Sequence, residues 1–437
     1  MNWIENYKSK LTTAGEAVKG INSNDTVYVH PGCAVPESLV KAMVDRKDEL
    51  ENVTVVHILT IGKAPYTEPG MEKHFRHKAF FIGSNVRESV NQGRSDFIPI
   101  FLSEVPLLFY KGLVPVDVAL IQVSPPDEHG FCSFGIGIET AKPATECAKT
   151  VVALINKQMP RALGDSFIHI NKIKHCVECD IPLNEYKQQK EATTEKEESV
   201  FKQIGHNIAD IIEDDSTLQM GIGAIPDAVL SYLTNKRNLG IHTEMFSDGL
   251  IKLVEEGVIT NEKKTLHKGK IIASFVLGTK ITFDFIHNNP VIEFHPSHYV
   301  NDPFIIAKNY KMVAINSALA VDLTGQVCAD SIGTRLFSGF GGQLDFMRGA
   351  SRSEGGKPII ALPSSAKNET VSRITTTLLP GSGVTTTRGD IHYVVTEYGV
   401  AYLYGKTVRE RALALINIAH PNFREELSKF ARDNKYI

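Results

Sequence analysis

The chain has 437 residues, 42% of them apolar and 22% charged, with 47 basic against 50 acidic side chains and a formal net charge of −3. Such a length exceeds the size at which one hydrophobic core keeps growing, so two domains are expected, and the composition is that of a folded protein rather than a disordered one. The near balance of charge excludes a sequence-wide field for a polyanion; nucleic acid is not an expected partner, while a local basic site for a phosphorylated small molecule stays open.

In chain order, the N-terminal residues 1–20 carry charges where a signal peptide needs its apolar core, and no later run is long enough to span a bilayer. A cytoplasmic protein without membrane partners is expected. Short β-branched runs follow at Thr26–Val29, Val53–Val56, Val118–Val123 and Val151–Ile155. A lone Cys176-x-x-Cys179 beside His175 lacks the second ligand pair that a zinc site needs, so no metal is expected, and six cysteines are too few for a disulfide framework. The polar stretch Ile181–Ser199 (IPLNEYKQQKEATTEKEES) marks a boundary. It gives an N-terminal domain 1–185, a linker 186–199 and a C-terminal domain 200–437. Beyond it, runs at Ile271–Val276, Met312–Ile315, Ile359–Leu362 and Tyr393–Val395 repeat the pattern. Continuous apolar strands alternating with helical patterns predict a parallel sheet covered on both faces. Both halves therefore read as similar open α/β domains.

The most informative stretch begins at Val200. Apolar residues at 200, 204, 208, 211 and 212 predict an amphipathic helix, followed by a strand Thr217–Met220 and the turn Gly221-Ile222-Gly223-Ala224-Ile225. Pro226 suits the first position of the next helix. A strand Leu239–Thr243 then leads to Glu244, and Asp248 begins another helix. The order puts the glycine turn and Glu244 at the carboxyl ends of neighbouring parallel strands, where open α/β sheets hold ligands. Spacing alone leaves two readings. Gly221-x-Gly223-x-x-Pro226 with an acid some twenty residues on approaches a dinucleotide fingerprint, in which Glu244 would hold a ribose and the chain would be an NAD-dependent oxidoreductase, but the third glycine is missing. Alternatively, Glu244 is a nucleophile. A second glycine turn, Ser338-Gly339-Phe340-Gly341-Gly342, offers a backbone N–H as an oxyanion donor.

The runs Gln219–Val229, Gly240–Met245 and Phe337–Gln343, with Val123–Cys132, Val395–Gly399 and Ala414–Pro421, resemble the acetyl-CoA hydrolase/transferase family, and the likeness covers nearly the whole chain. The resemblance implies two CoA-transferase-like α/β domains with the active site in the crevice between them. It implies a CoA transferase that carries CoA from a short acyl-CoA to a carboxylate through a glutamyl-CoA thioester on Glu244, with 4-hydroxybutyrate and acetyl-CoA or butyryl-CoA as substrates. Butyryl-CoA:acetate transfer and acyl-CoA hydrolysis are the alternatives. It places Gly221, Ile222, Gly223, Ala224, Ile225, Leu319, Gly342 and Lys367 around CoA, and Asn301 and Glu397 near the reacting centre. No permanently bound cofactor is implied; coenzyme A and acyl-CoA are substrates. A homodimer or higher homo-oligomer is expected. A role for His242 as a base is less favoured than packing, because a carboxylate nucleophile has no proton to lose.

Overall fold

Seven strands of the first half lie side by side and all run the same way. They are β1 (Thr26–Val29), β2 (Val53–His57), β3 (Phe75–Ala79), β4 (Asp96–Phe97), β5 (Val118–Val123), β6 (Thr150–Asn156) and β7 (His175–Cys179), in the order β4-β3-β2-β1-β5-β6-β7. The computed structural model describes residues 2–187 and 194–437. Strand β5 is buried along its whole length, as a strand covered on both faces must be. Its one polar residue, Gln122, is satisfied there: its amide donates to the Ala34 and Val35 carbonyls at 3.1 and 3.3 Å and its oxygen accepts from Asn156 at 2.8 Å. Helix α1 (Glu37–Asp45) packs Leu39, Val40, Met43 and Val44 inward. Cys176 and Cys179 sit on β7 as free thiols, each with its pKa raised by burial.

In the second half, helix α2 (Glu195–Ile211) starts inside the expected linker, because Thr194 and Glu197 close a capping box that stabilises five more residues than the apolar periodicity shows. Of the linker 186–199, residues 188–193 lie outside the described residues. The strands that follow are β8 (Thr217–Met220), β9 (Gly240–Ile241), β10 (Met245–Phe246), β11 (Phe275–Val276), β12 (Met312–Ser317), β13 (Lys357–Ala361), β14 (Tyr393–Thr396) and β15 (Gly399–Tyr402). One sheet has the order β9-β8-β12-β13-β14-β15, parallel except for the closing β14–β15 hairpin. Helix α3 (Ala224–Ser231) connects β8 to β9, with Gly223 as its N-cap. Pro226 is its third residue, not its first; that position is equally free of an intrahelical donor bond. The helices α4 (Asp248–Glu255), α5 (Lys280–Ile286) and α6 (Gln343–Arg352) complete the elements that bear on function. Among the described residues, no helix is long and apolar enough to cross a membrane.

The chain divides into two compact units, and the division is not sequential. The first contains the described residues of Met1–Lys187 with Glu244–Asp248 and Ile272–Val300; the second contains the described residues of Gln188–Thr243, Gly249–Ile271 and Asn301–Ile437. The expectation of a domain 200–437 carrying Glu244 differs from this at two insertions. Their physical cause is strand pairing: β10 pairs with β11, Gly137 bridges Phe275, and Gly164 bridges Phe294. The apolar run Ile271–Val276, predicted as one strand, is broken at Ser274 into Ile271–Ala273 and β11.

Two fully buried histidines in the first unit are fixed as neutral rings. The Gln122 N–H donates to His30 Nδ1 at 3.1 Å, so Nε2 carries the proton that the Gly137 carbonyl accepts at 2.7 Å. His57 donates from Nδ1 to the Ile58 carbonyl and accepts from the Tyr66 hydroxyl at 2.6 Å on Nε2, while stacking on His77 at 4.3 Å. Burial lowers the pKa of His30 and of His57 to about 4. The unfolded chain, with histidines near 6.5, binds more protons between these limits, so the stability they support is present above pH 6.5 and is lost as pH falls to 4. Each histidine should cost on the order of 3 kcal/mol across that window. Urea midpoints measured from pH 7 to 4 should fall steeply for the wild type and less steeply for His57→Gln; equal slopes would refute the assignment for His57.

Candidate active site

A sheet of parallel strands delivers every carboxyl end to one edge. In the second unit, that edge receives several of the residues singled out from the sequence. Gly221–Ile225 leave β8, Leu319 follows β12 by two residues, Lys367 follows β13, and Glu397 directly follows β14. The helices connecting parallel strands run back against them, so their N-termini lie at the same edge. Helix α3 begins there at Gly223, and α6, between β12 and β13, begins there at Gly342.

At the first turn, Gly221 and Gly223 have open space where a side chain would project, and the φ of +122° at Gly223 lies in the region that favours glycine. Gly221 to Ala224 remain accessible while Ile225 turns into the core. Leu319 is half-buried, with its N–H donating to the Cys328 carbonyl at 2.8 Å. In the second glycine turn, Gly341 has φ +54°, and Gly342 caps α6 with its carbonyl accepting from the Phe346 N–H at 3.0 Å. An N-terminal position on a ten-residue helix gives its surroundings a positive potential suited to an oxyanion.

Lys367 sits at the tip of a hairpin whose strands are Ser365–Ala366 and Val371–Ser372. The tip is strained: Lys367, Asn368 and Glu369 have φ of 49°, 53° and 63°, three successive side-chain-bearing residues in the left-handed region. Glu369 anchors the turn by pairing with Lys196 at 2.6 Å and with His420 Nε2 at 3.3 Å. Glu397 accepts from the Ser364 N–H at 2.9 Å and the Ser364 hydroxyl at 2.5 Å, which ties β14 to the base of the hairpin. Asn301 is fully buried between two short helices and is not on a strand end.

Glu244 follows β9 by three residues and belongs to the first unit. The predicted strand to Thr243 stops at Ile241, and His242 is buried with its ring 6.2 Å from that of Phe346. Glu244 is half-buried at a bend, and its carbonyl accepts from the Ser274 and Phe275 N–H groups at 2.9 and 3.1 Å. On its far side, the buried Phe246 stacks on Phe285 at 5.7 Å. Asp248 accepts from the Thr279 N–H at 3.1 Å and from the Thr282 hydroxyl. The bend is therefore held by backbone bonds just after it and by a side-chain clamp four residues on.

Sequence reasoning missed Glu139. Residues 136–138 pair with the other side of β11, through Val276 N–H to the Ile136 carbonyl at 2.9 Å and Ile138 N–H to the Ser274 carbonyl at 3.2 Å. Glu139, next in the chain, is fully buried and neither carboxyl oxygen has a hydrogen-bond partner. The groups around it cannot neutralise a charge: the His30 proton is committed to Gly137, and the Tyr28 hydroxyl is shared with Thr140 at 2.8 Å. Burial, and then the charge of Glu244, hold its pKa well above the carboxylate range. Glu139 therefore keeps its proton. A carboxyl raised in the fold costs nothing below its unfolded pKa near 4.3 and costs about 1.4 kcal/mol per pH unit above it, until the folded pKa is reached. Glu139→Gln should therefore match wild-type stability near pH 4 and exceed it increasingly towards pH 7, read from denaturation midpoints; a difference independent of pH would refute a neutral Glu139.

Comparison with known proteins agrees with this layout. The N-terminal domain of acetyl-CoA hydrolase/transferase matches residues 1–215 and the C-terminal domain of that family matches residues 278–431. The 4-hydroxybutyrate coenzyme A transferase of Clostridium kluyveri is 54% identical over 427 residues, 98% of each chain. A succinyl-CoA:acetate/propanoyl-CoA:succinate CoA transferase of Fasciola hepatica is 49% identical, covering 97% of this chain and 88% of its own. The crystal structure of a 4-hydroxybutyrate CoA-transferase from Porphyromonas gingivalis superposes with a TM-score of 0.85 at 42% identity, covering 99% of this chain and all of that one. The parallel sheets, the strand-end glycine turns and the matches along both halves place this chain in the acetyl-CoA hydrolase/transferase family.

Proposed function

We propose that Glu244 is the nucleophile of a ping-pong CoA transfer whose acceptor is 4-hydroxybutyrate, with acetyl-CoA or butyryl-CoA as the donor. The chain is a CoA transferase of the acyl-CoA:carboxylate type, with CoA and acyl-CoA as substrates. In the proposed course, a Glu244 oxygen attacks the thioester carbonyl, the C–S bond breaks, and CoA leaves as thiolate with a mixed anhydride on the enzyme. The thiolate then attacks the glutamyl carbonyl, the anhydride C–O bond breaks, and the first acid departs as its carboxylate. The resulting glutamyl-CoA thioester is opened by the acceptor through the same steps reversed. One thioester replaces another, so no external energy is required.

The observation that supports this reading is geometric: a half-buried Glu244 sits at a bend three residues after β9, with its carbonyl held by the Ser274 and Phe275 N–H groups. Gly221 to Ile225, Leu319 and Lys367 are proposed to line CoA, and Gly342 to supply the oxyanion donor, whose loss elsewhere costs roughly a hundredfold to a thousandfold in rate. Asn301 and Glu397 are proposed as supporting residues; Glu397 has the better claim, because it lies on a strand end and is accessible. Choice of 4-hydroxybutyrate rests on the Clostridium kluyveri relative, while the Fasciola hepatica relative is named for succinate, acetate and propanoyl-CoA. A cytoplasmic homodimer or higher homo-oligomer completes the proposal.

Incubation with acetyl-CoA alone, followed by borohydride or hydroxylamine, should modify Glu244 in a peptide mass map, and Glu244→Gln should lose roughly a thousandfold or more of turnover. An unmodified Glu244 in an active enzyme would end the covalent reading. Across a panel of acids, 4-hydroxybutyrate should give the highest kcat/KM; thioester loss at a rate indifferent to every acid would identify a hydrolase instead.

A further inference from the structure

Among the described residues, Arg373 is a half-buried cation at this sheet edge with no carboxylate paired to it. Arg373 lies between the hairpin strand Val371–Ser372 and the strand Ile374–Thr375. Its backbone is fixed on both sides: its N–H donates to the Ser364 carbonyl at 2.9 Å and its carbonyl accepts from the Val321 N–H at 2.8 Å. The guanidinium is half-buried, and its hydrogen bond is a long one of 3.5 Å from Nη1 to the Ala318 carbonyl, next to Leu319. Among the described residues, no carboxylate lies within ion-pair distance. The acid that acts on it electrostatically is Glu397, and both of its oxygens are engaged by Ser364. Burial lowers the Arg373 pKa and Glu397 offsets that only in part.

A guanidinium has five donors in a rigid fork and cannot shed its proton, so withdrawing it from water with one weak bond is unfavourable unless an anion completes it. Its neighbours are the residues assigned to the substrates: Leu319 beyond Ala318, Lys367 at the tip of the same hairpin, and Glu397 beyond Ser364. We propose that Arg373 is a substrate-binding residue that receives an anionic oxygen pair at this edge, from a phosphate of CoA or from the carboxylate of the acid. The proposal rests on the CoA-transferase reading for the identity of the anions, but its test does not depend on chemistry at Glu244.

Equilibrium binding of CoA and of 4-hydroxybutyrate, by calorimetry, compares wild type with Arg373→Met, alongside KM for acetyl-CoA and for the acid. A loss of ten- to a hundredfold in CoA affinity with a matching rise in KM for acetyl-CoA supports the proposal and identifies phosphate as the partner. The same loss confined to the acid supports it and identifies the carboxylate. Arg373→Lys, which keeps the charge and loses the fork, should fall between the two and serves if the methionine variant does not fold. Wild-type affinities and KM values for both ligands in a folded variant overturn the proposal. Failure to trap Glu244 in the wild-type protein would overturn the covalent mechanism and leave these binding measurements standing.

Discussion

Five parallel strands in one sheet are the constraint on which the second unit depends. Because β9, β8, β12, β13 and β14 all point the same way, each must be followed by a segment that leaves at the same edge, and each connecting helix must begin there. Residues separated by up to 176 positions, from Gly221 to Glu397, come to one edge without any of them needing to contact another. Strand direction also sets the electrostatics. Helix N-termini at Gly223 and Gly342 face the same side, so backbone dipoles give that edge a positive potential before any basic side chain is added.

Glu244 is held by a different means. Its neighbours in the chain pair with β11, thirty residues later, and β11 pairs in turn with residues 136–138, more than a hundred residues earlier. The peptide carbonyl of Glu244 closes the ladder by taking two N–H groups. A side chain on such a bend moves only if several backbone bonds move with it, which is how the proposed nucleophile is kept in place. Asp248 extends the clamp: a side chain at Gly278 would meet its carboxylate at 2.7 Å, so the glycine is what lets the acid reach the start of α5.

The sequence made most of the first sheet legible because its strands are buried on both faces and read as unbroken apolar runs; β1 and β5 have the predicted ends, and β2 and β6 extend them by one residue or by one at each end. The same logic located β8, β12, β13 and β14, and with them the sheet edge. It failed where structure comes from distant pairing. Nothing local in Ile271–Val276 shows that it breaks at Ser274, and nothing in Glu244–Asp248 shows that it joins the first unit. Glu139 was invisible for the related reason that a single acid in Gly135-Ile136-Gly137-Ile138-Glu139-Thr140 becomes informative only once burial is known. The turn at Lys367 was found through family likeness; its left-handed backbone has no glycine to announce it, because Glu369 and its two partners hold it instead.

Glu139 and Arg373 set out the two ways in which a fold can tolerate a polar group it does not pair. A carboxyl removed from water can take up a proton and become neutral, so Glu139 persists in a dry strand cluster at a cost that depends on pH. A guanidinium has no such exit at any pH a protein survives, and its charge must be met by a dipole, a carboxylate or a ligand. At Arg373 the dipole is one distant carbonyl and the nearby carboxylate is already bonded. The asymmetry between acid and base chemistry thus turns two similar observations to different ends: the unpaired acid takes up a proton, and the unpaired base is left for a substrate to complete.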